Sequence, residues 1–169
     1  SSERMMKSLV CRRLLPLMLV LALSACGFRL AGTTSLPREL GNIYLVTNDF
    51  SERQRNALRQ QLSQTGARIT AQPAEGAVQL SVTLKVVPDR RLVSSASTGK
   101  SVDRLVRELS FILKDADGNL LAPARTLTQQ QDFAIDDDNL LASTQQRNDV
   151  IEDLEKALYR QLIRQLERI

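Results

Sequence analysis

Alternation of apolar and polar positions is clearest from Val78 to Val86. Val78, Leu80, Val82, Leu84 and Val86 are separated there by Gln79, Ser81, Thr83 and Lys85. A period of two over nine residues predicts a strand with one buried and one wet face. Earlier, Ile43-Tyr44-Leu45-Val46-Thr47 is a short β-branched and aromatic run that reads as a first strand. Between the two, Asp49 and Ser51 are rival helix caps, with Glu52 three residues after the first and Gln54 three after the second. Either pairing is a capping box. The helix it opens runs through Ala57, Leu58 and Leu62 to Gly66. Its narrow apolar stripe leaves Arg53, Arg55, Arg59 and Gln60 facing water or a partner.

The pattern then breaks at "VPDRRLVSSASTGKS", whose Ser, Thr and Gly content reads as a mobile or edge segment. From Leu105 to Lys114, Leu105, Leu109, Phe111 and Leu113 share one parity. Arg107 interrupts that face, which predicts a bulge or a partly exposed strand start. "KDADGNLL" is a turn, with Asp117-Gly118 as the hairpin signal. A calcium loop opening at Asp115 would need Gly sixth and Glu twelfth, where Leu120 and Thr126 stand, so a plain hairpin is preferred. A returning strand spans Ala122 to Phe133, with Pro123 at its beginning or edge and a polar middle, "TLTQQQDF".

In the last segment Ile151, Leu154, Leu158, Leu162, Leu166 and Ile169 recur every three or four residues, the core stripe of a long helix. Asp136, Asp137 and Asp138 precede it, and fit the positive end of its dipole better than a cation site. The order is β-α-β-β-β-α. It predicts an α+β fold, with two helices packed on one face of a four-stranded mixed or antiparallel sheet.

The beginning of the chain follows another logic. Leu14 to Leu23 is an apolar run of ten residues containing Pro16, against the ~20 that cross a bilayer. Arg4, Lys7, Arg12 and Arg13 precede it against the single acid Glu3. A basic start and a short apolar core suit a secretory signal peptide. The next residues, Leu23-Ser24-Ala25-Cys26, resemble a bacterial lipobox. That resemblance implies cleavage before Cys26, an S-diacylglycerol on its sulfur and an N-acyl (palmitoyl) chain on its amino group. The competing readings are an ordinary signal peptide and a buried helix with a chance cysteine. The expected division is 1–25 as a removed signal peptide, 26–41 as a lipidated tether and 42–169 as a single α+β domain. Met5 and Met6 both remain candidate starts.

Composition changes meaning once the leader is set aside. The whole chain carries 23 Lys+Arg against 19 Asp+Glu, with an isoelectric point near 9.4. Without the leader the balance falls to 19 against 18, so the basicity is no nucleic-acid footprint. The chain has no histidine and no tryptophan, and its two cysteines are Cys11 and Cys26. A Ser-His-Asp triad and the common His or Cys zinc sites are therefore excluded. No cofactor is expected beyond the covalent lipid.

Cys26-Gly27-Phe28-Arg29-Leu30, then Leu36-Pro37, a single α+β domain and a closing "QLIRQL" helix resemble the lipopolysaccharide-assembly lipoprotein family LptE, also called RlpB. The likeness covers the mature chain in element order, most specifically its start and the run from Leu140 to Leu166. It implies a non-enzymatic lipoprotein on the periplasmic side of the outer membrane. Such a protein plugs the LptD β-barrel, assists its assembly, takes part in moving lipopolysaccharide to the outer leaflet, and binds it. Gly27 rather than Asp after the cysteine agrees with the outer-membrane sorting rule.

A barrel lumen is lined by polar side chains, and the polar strand Thr126–Asp132 and the Arg- and Gln-rich first helix offer matching surface. Lipopolysaccharide presents phosphates and carboxylates, which Arg and Lys recognise by charge-assisted hydrogen bonds. Arg90, Arg91 and Lys100, with Arg104 beside them, are the candidate ligand-binding cations. The family's basic positions fall in this linker and near the entrance to the last helix. Here the equivalents are a serine with Lys100 a few places on, and Ser143, so no residue is carried over by alignment. The other functional readings are an envelope lipoprotein adaptor for another complex, and a cell-wall hydrolase using carboxylates such as Glu108 and Asp132.

Overall fold

The computed structural model describes residues 35–95 and 97–169. The chain enters through a 3-10 turn, Arg38–Leu40, which already places Leu40 in the core. β1, Asn42–Asn48, follows and turns Ile43 and Leu45 inward. α1 spans Glu52–Ser63 and is capped by Ser51, whose Oγ accepts from the Gln54 backbone N–H at 3.3 Å. Gln54 Oε1 accepts in return from the Ser51 N–H at 2.8 Å, which completes the box. Asp49 is no cap; it takes a left-handed backbone, φ 61°. The helix buries Leu58 and Leu62. Beyond it the chain turns at Gly66, whose φ of 85° costs a residue without Cβ little.

β2 is only Arg68–Thr70 and lies parallel to β1. Three long strands follow: β3 (Val78–Ser95), β4 (Lys100–Lys114) and β5 (Leu120–Asp136). α2, Leu140–Leu166, closes the fold after a 3-10 turn at Asp137–Asn139. The sheet order is β2-β1-β3-β4-β5, with β1 parallel to β2 and β3, and β3-β4-β5 an antiparallel meander. The α+β class stands as expected, but the sheet has five strands rather than four. The order is β-α-β-β-β-β-α, because Arg68-Ile69-Thr70 is too short to show a period.

The meander is long. At about 3.3 Å per residue its strands run for roughly 45 to 60 Å, well beyond β1, which pairs with β3 only as far as Thr83. The segment read as a linker is therefore the distal half of β3 and the tip of its hairpin. Turn geometry follows the sequence at the other end of β4. Asp115 Oδ1 accepts from the backbone N–H groups of Asp117 and Asn119 at 2.9 and 2.8 Å, and Gly118 takes φ 89°. The Asn119 bonds hold the Asp115 carboxyl below its usual range.

Both helices cover one face. The main core joins Leu80, Val82, Leu84, Leu109, Phe111 and Leu113 of the sheet to Leu58 and Leu62 of α1 and Leu158, Leu162 and Leu166 of α2. A smaller cluster of Leu105, Phe133 and Leu154 lies further along, flanked by Ile135, Val150 and Ile151. Arg107 sits between Leu105 and Leu109 on β4. It is only 4 % exposed, and β4 keeps an unbroken register against β5 there. The expected exposed start is thus wrong, since the cation is buried; the expected bulge falls next to it, on β3 between Val87 and Arg90, opposite Leu105. α2 begins at Asn139, whose Oδ1 accepts from the Ala142 N–H at 3.4 Å. Of the three acids before it, Asp136 caps the 3-10 turn through Asp138 N–H at 3.1 Å. Among the described residues no group of His, Cys, Asp and Glu is placed to hold a metal ion, and no helix is long and apolar enough to cross a membrane.

Candidate functional site

Away from the helices, the distal half of the meander presents an open face that strand register defines row by row. Arg90 stands opposite Arg104, and Arg104 opposite Asp132. The next row toward the tip is Val93, Val102 and Ala134, and the last is Ser95, Lys100 and Asp136. Arg104 grips Asp132 with two hydrogen bonds, Nε to Oδ1 at 2.7 Å and Nη2 to Oδ2 at 3.0 Å. The Asp132 carboxyl is held below its usual range by that bond and charge, and the guanidinium is raised in turn. Arg90 and Lys100 are exposed and make no ion pair among the described residues. Val93, 60 % exposed, lies between the two cationic rows. An apolar strip flanked by cations suits an anionic head attached to a hydrocarbon.

Register also sorts the expected residues. Arg91 pairs with Asp103, Nε to Oδ1 at 2.9 Å and Nη2 to Oδ2 at 3.4 Å. Asp103 shares the parity of Leu105 and Arg107, so this pair sits on the helix side, away from Arg90. Arg91 is therefore neutralised and misdirected, and Arg104 takes its place beside Arg90. No sequence signal marks this, because it depends on the two register shifts at Val87/Arg90 and Arg91/Val93. Ser143, which stands where the family has a basic residue, ties the start of α2 to the end of β5. Its hydroxyl accepts from the Asp136 N–H at 3.2 Å and lies 3.3 Å from the Asp136 carbonyl. One turn along α2, Arg147 pairs with Asp89 of β3. The exposed Leu140 and Leu141 lie at the start of the same helix.

The carboxylates of the hydrolase reading are elsewhere occupied. Glu108 pairs with Lys85 at 3.4 Å and Asp132 with Arg104. Both lie on the open sheet, four positions apart in register, which is roughly 13 Å along the strands. Paired glycosidase acids stand about 5 to 9.5 Å apart in a cleft.

A concave region of about 390 Å³ lies between α1 and α2 above Tyr159, which stacks on Phe50 with ring centroids 6.3 Å apart. Gln54 Nε2 donates to Glu155 at 2.6 Å, and Arg53 pairs with Glu152. Burial pushes the Glu155 carboxyl up, offset in part by the Gln54 bond and the charge of Arg107. Burial also raises the Tyr159 phenol, whose oxygen has no hydrogen-bond partner among the described residues. An acid raised on folding binds its proton more tightly in the native state. Stability therefore falls as pH rises from the unfolded pKa, about 4.3, through the folded one. Glu155→Gln keeps an acceptor for Gln54 without the buried charge. It is expected to melt higher than the parent at pH 8, with the difference closing near pH 4. Thermal melts at both pH values check this; an equal gap at both would refute the assignment.

The family model for LptE, lipopolysaccharide-assembly, matches residues 40–166. No curated protein matches the chain. Among solved structures, an uncharacterized lipoprotein B from Nitrosomonas europaea superposes with a TM-score of 0.65 at 20% identity, covering 83% of this chain and 90% of that one. A minor lipoprotein from Acinetobacter baumannii gives 0.60 at 20% identity, covering 76% and 92%. The rare lipoprotein B from Shewanella oneidensis gives 0.56 at 12% identity, covering 74% and 92%. At these identities the structures speak for the fold. The family model spans most of the chain, from the 3-10 turn to the end of α2, and this protein belongs to the LptE family of lipopolysaccharide assembly.

Proposed function

We propose that the chain is a non-enzymatic lipoprotein of the outer membrane, anchored on the periplasmic side through lipid on Cys26. There it plugs the lumen of the LptD β-barrel, assists barrel assembly and hands lipopolysaccharide toward the outer leaflet. The observation that carries the lipid-binding part is the distal open face, where Arg90, Arg104 and Lys100 frame the Val93–Val102 strip. The cations meet phosphate, and the strip accepts the start of an acyl chain. Asp132 orients Arg104, while Arg90, and Lys100 opposite Asp136, have no ion-pair partner among the described residues. The plug role is supported by family membership and by the polar outer surface of Thr126–Asp132. The lipid anchor rests on the residues around Cys26, which lie outside those the structure describes.

One experiment separates the parts. Tagged chain extracted from outer membranes in mild detergent is expected to bring a large β-barrel with it. Recovery with a different complex would favour the adaptor reading, and recovery alone would overturn both. The purified chain is then titrated with lipopolysaccharide. Arg90→Ala with Lys100→Ala is expected to weaken binding about tenfold or more, since a charge-assisted hydrogen bond contributes ~1.5 kcal/mol. Arg91→Ala should leave it unchanged. Equal losses in the two variants would remove the open face as the site.

A further inference from the structure

The adjacent Arg90 and Arg91 face opposite sides of the sheet, and which of them reaches the open face is set just before them on β3. Val87 stands opposite Val106 and Arg90 opposite Arg104, so Pro88 and Asp89 share the single partner position Leu105. That is a bulge, and one extra residue turns the side chains that follow to the other face. Pro88 has no N–H for the ladder and tolerates the break, but it does not fix how far the strand then slips. Counting on from Val87 without the extra residue gives a second register. Arg90 would fall opposite Asp103 on the helix side, Arg91 opposite Val102 on the open face, and Asp89 opposite Arg104. Each arginine would then take the other's face. Distal β3 is mostly exposed, and the hairpin tip that follows is rich in Ser, Thr and Gly. A strand of that kind specifies its register weakly.

One contact belongs to the observed register alone. Asp89, at the bulge, pairs with Arg147 of α2, their side chains 24 % and 35 % exposed. Among the described residues, no other ion pair or side-chain hydrogen bond joins β3 to α2. In the second register Asp89 would stand on the open face, across the sheet from Arg147. We infer that Asp89 and Arg147 are positioning residues for the lipid-binding face. Their pairing selects the bulged register, and so decides that Arg90 rather than Arg91 meets the ligand. That role depends on the open face being the lipopolysaccharide site proposed above, whereas the choice of register does not. By charge alone, an acid beside an anion site opposes binding. Asp89 has the reverse effect, because it acts through the strand.

Two readouts on the full-length chain in mild detergent test this. Val93 and Val102 are opposed only in the observed register. Val93→Cys with Val102→Cys, under a gentle oxidant, should therefore form a cross-strand disulfide, read by mass spectrometry of unreduced peptides. Adding Arg147→Ala should slow its formation severalfold. Reversing the pair, with Asp89→Arg and Arg147→Asp, should restore much of the rate. Titration with lipopolysaccharide is the second readout. In the parent, affinity is expected to depend on Arg90 and not on Arg91. With Arg147→Ala the dependence should move to Arg91, and Asp89→Ala should do the same although it removes a negative charge. Far-UV circular dichroism should show that the fold is kept in each variant. Disulfide formation indifferent to Arg147→Ala, or an Arg90 dependence that survives it, would overturn the assignment. Slower formation with binding indifferent to both arginines would uphold the register role and remove the lipid site instead.

Discussion

Phe111→Ala is expected to destabilise the fold by about 3–5 kcal/mol, the usual cost of truncating a fully enclosed phenylalanine. Its ring is 1 % exposed and stands on β4 opposite Val82, in the cluster shared by the sheet and both helices. Against a typical domain stability of about 5–15 kcal/mol the loss is a large fraction. The melting midpoint should fall by roughly 10 °C or more for a domain of this size. Phe111→Leu, which fills most of the space, should lose much less. Thermal melts followed by far-UV circular dichroism decide the point; a midpoint within a degree or two of the parent would mean that the ring is not enclosed as described.

The second large effect is on location. Cys26→Ala removes the only atom on which the expected thioether-linked lipid can be built. One acyl chain holds a protein to a bilayer weakly and reversibly, whereas several chains, at about 0.8 kcal/mol per buried methylene, hold it firmly. With residues 1–25 also exchanged for an ordinary cleavable signal peptide, so that processing does not depend on Cys26, losing them all should move the mature chain from the membrane pellet to the periplasmic fraction while export continues. The amount recovered with the β-barrel should fall with it. Cell fractionation with immunodetection reads both; unchanged membrane attachment would remove Cys26 as the anchor.

Much of the fold is legible where burial imposes a period. Val78–Val86 and the stripe from Ile151 to Leu166 mark β3 and α2, and the Ser51–Gln54 box marks the start of α1. The period fails where burial stops. β3 continues to Ser95 through residues that are mostly exposed, with two register shifts, so no alternation announces it. β2 offers the core only Ile69, and its three residues are placed by pairing to β1. Arg107 misleads for the opposite reason: its parity is that of the core, and it is buried despite its charge. The candidate cations show the same limit. Their presence near the hairpin can be read from composition, but only strand register separates Arg90 from Arg91 and brings Arg104 to Arg90's side.

Arg107 and Glu155 lie where the larger and smaller apolar clusters meet. Charged groups there interrupt the oily continuity that would make the domain melt as one body. The far end of the hairpin, with its handful of enclosed side chains, can fray and re-form while the remainder stays intact. Backbone protons there have a route to exchange with water that needs only this partial opening.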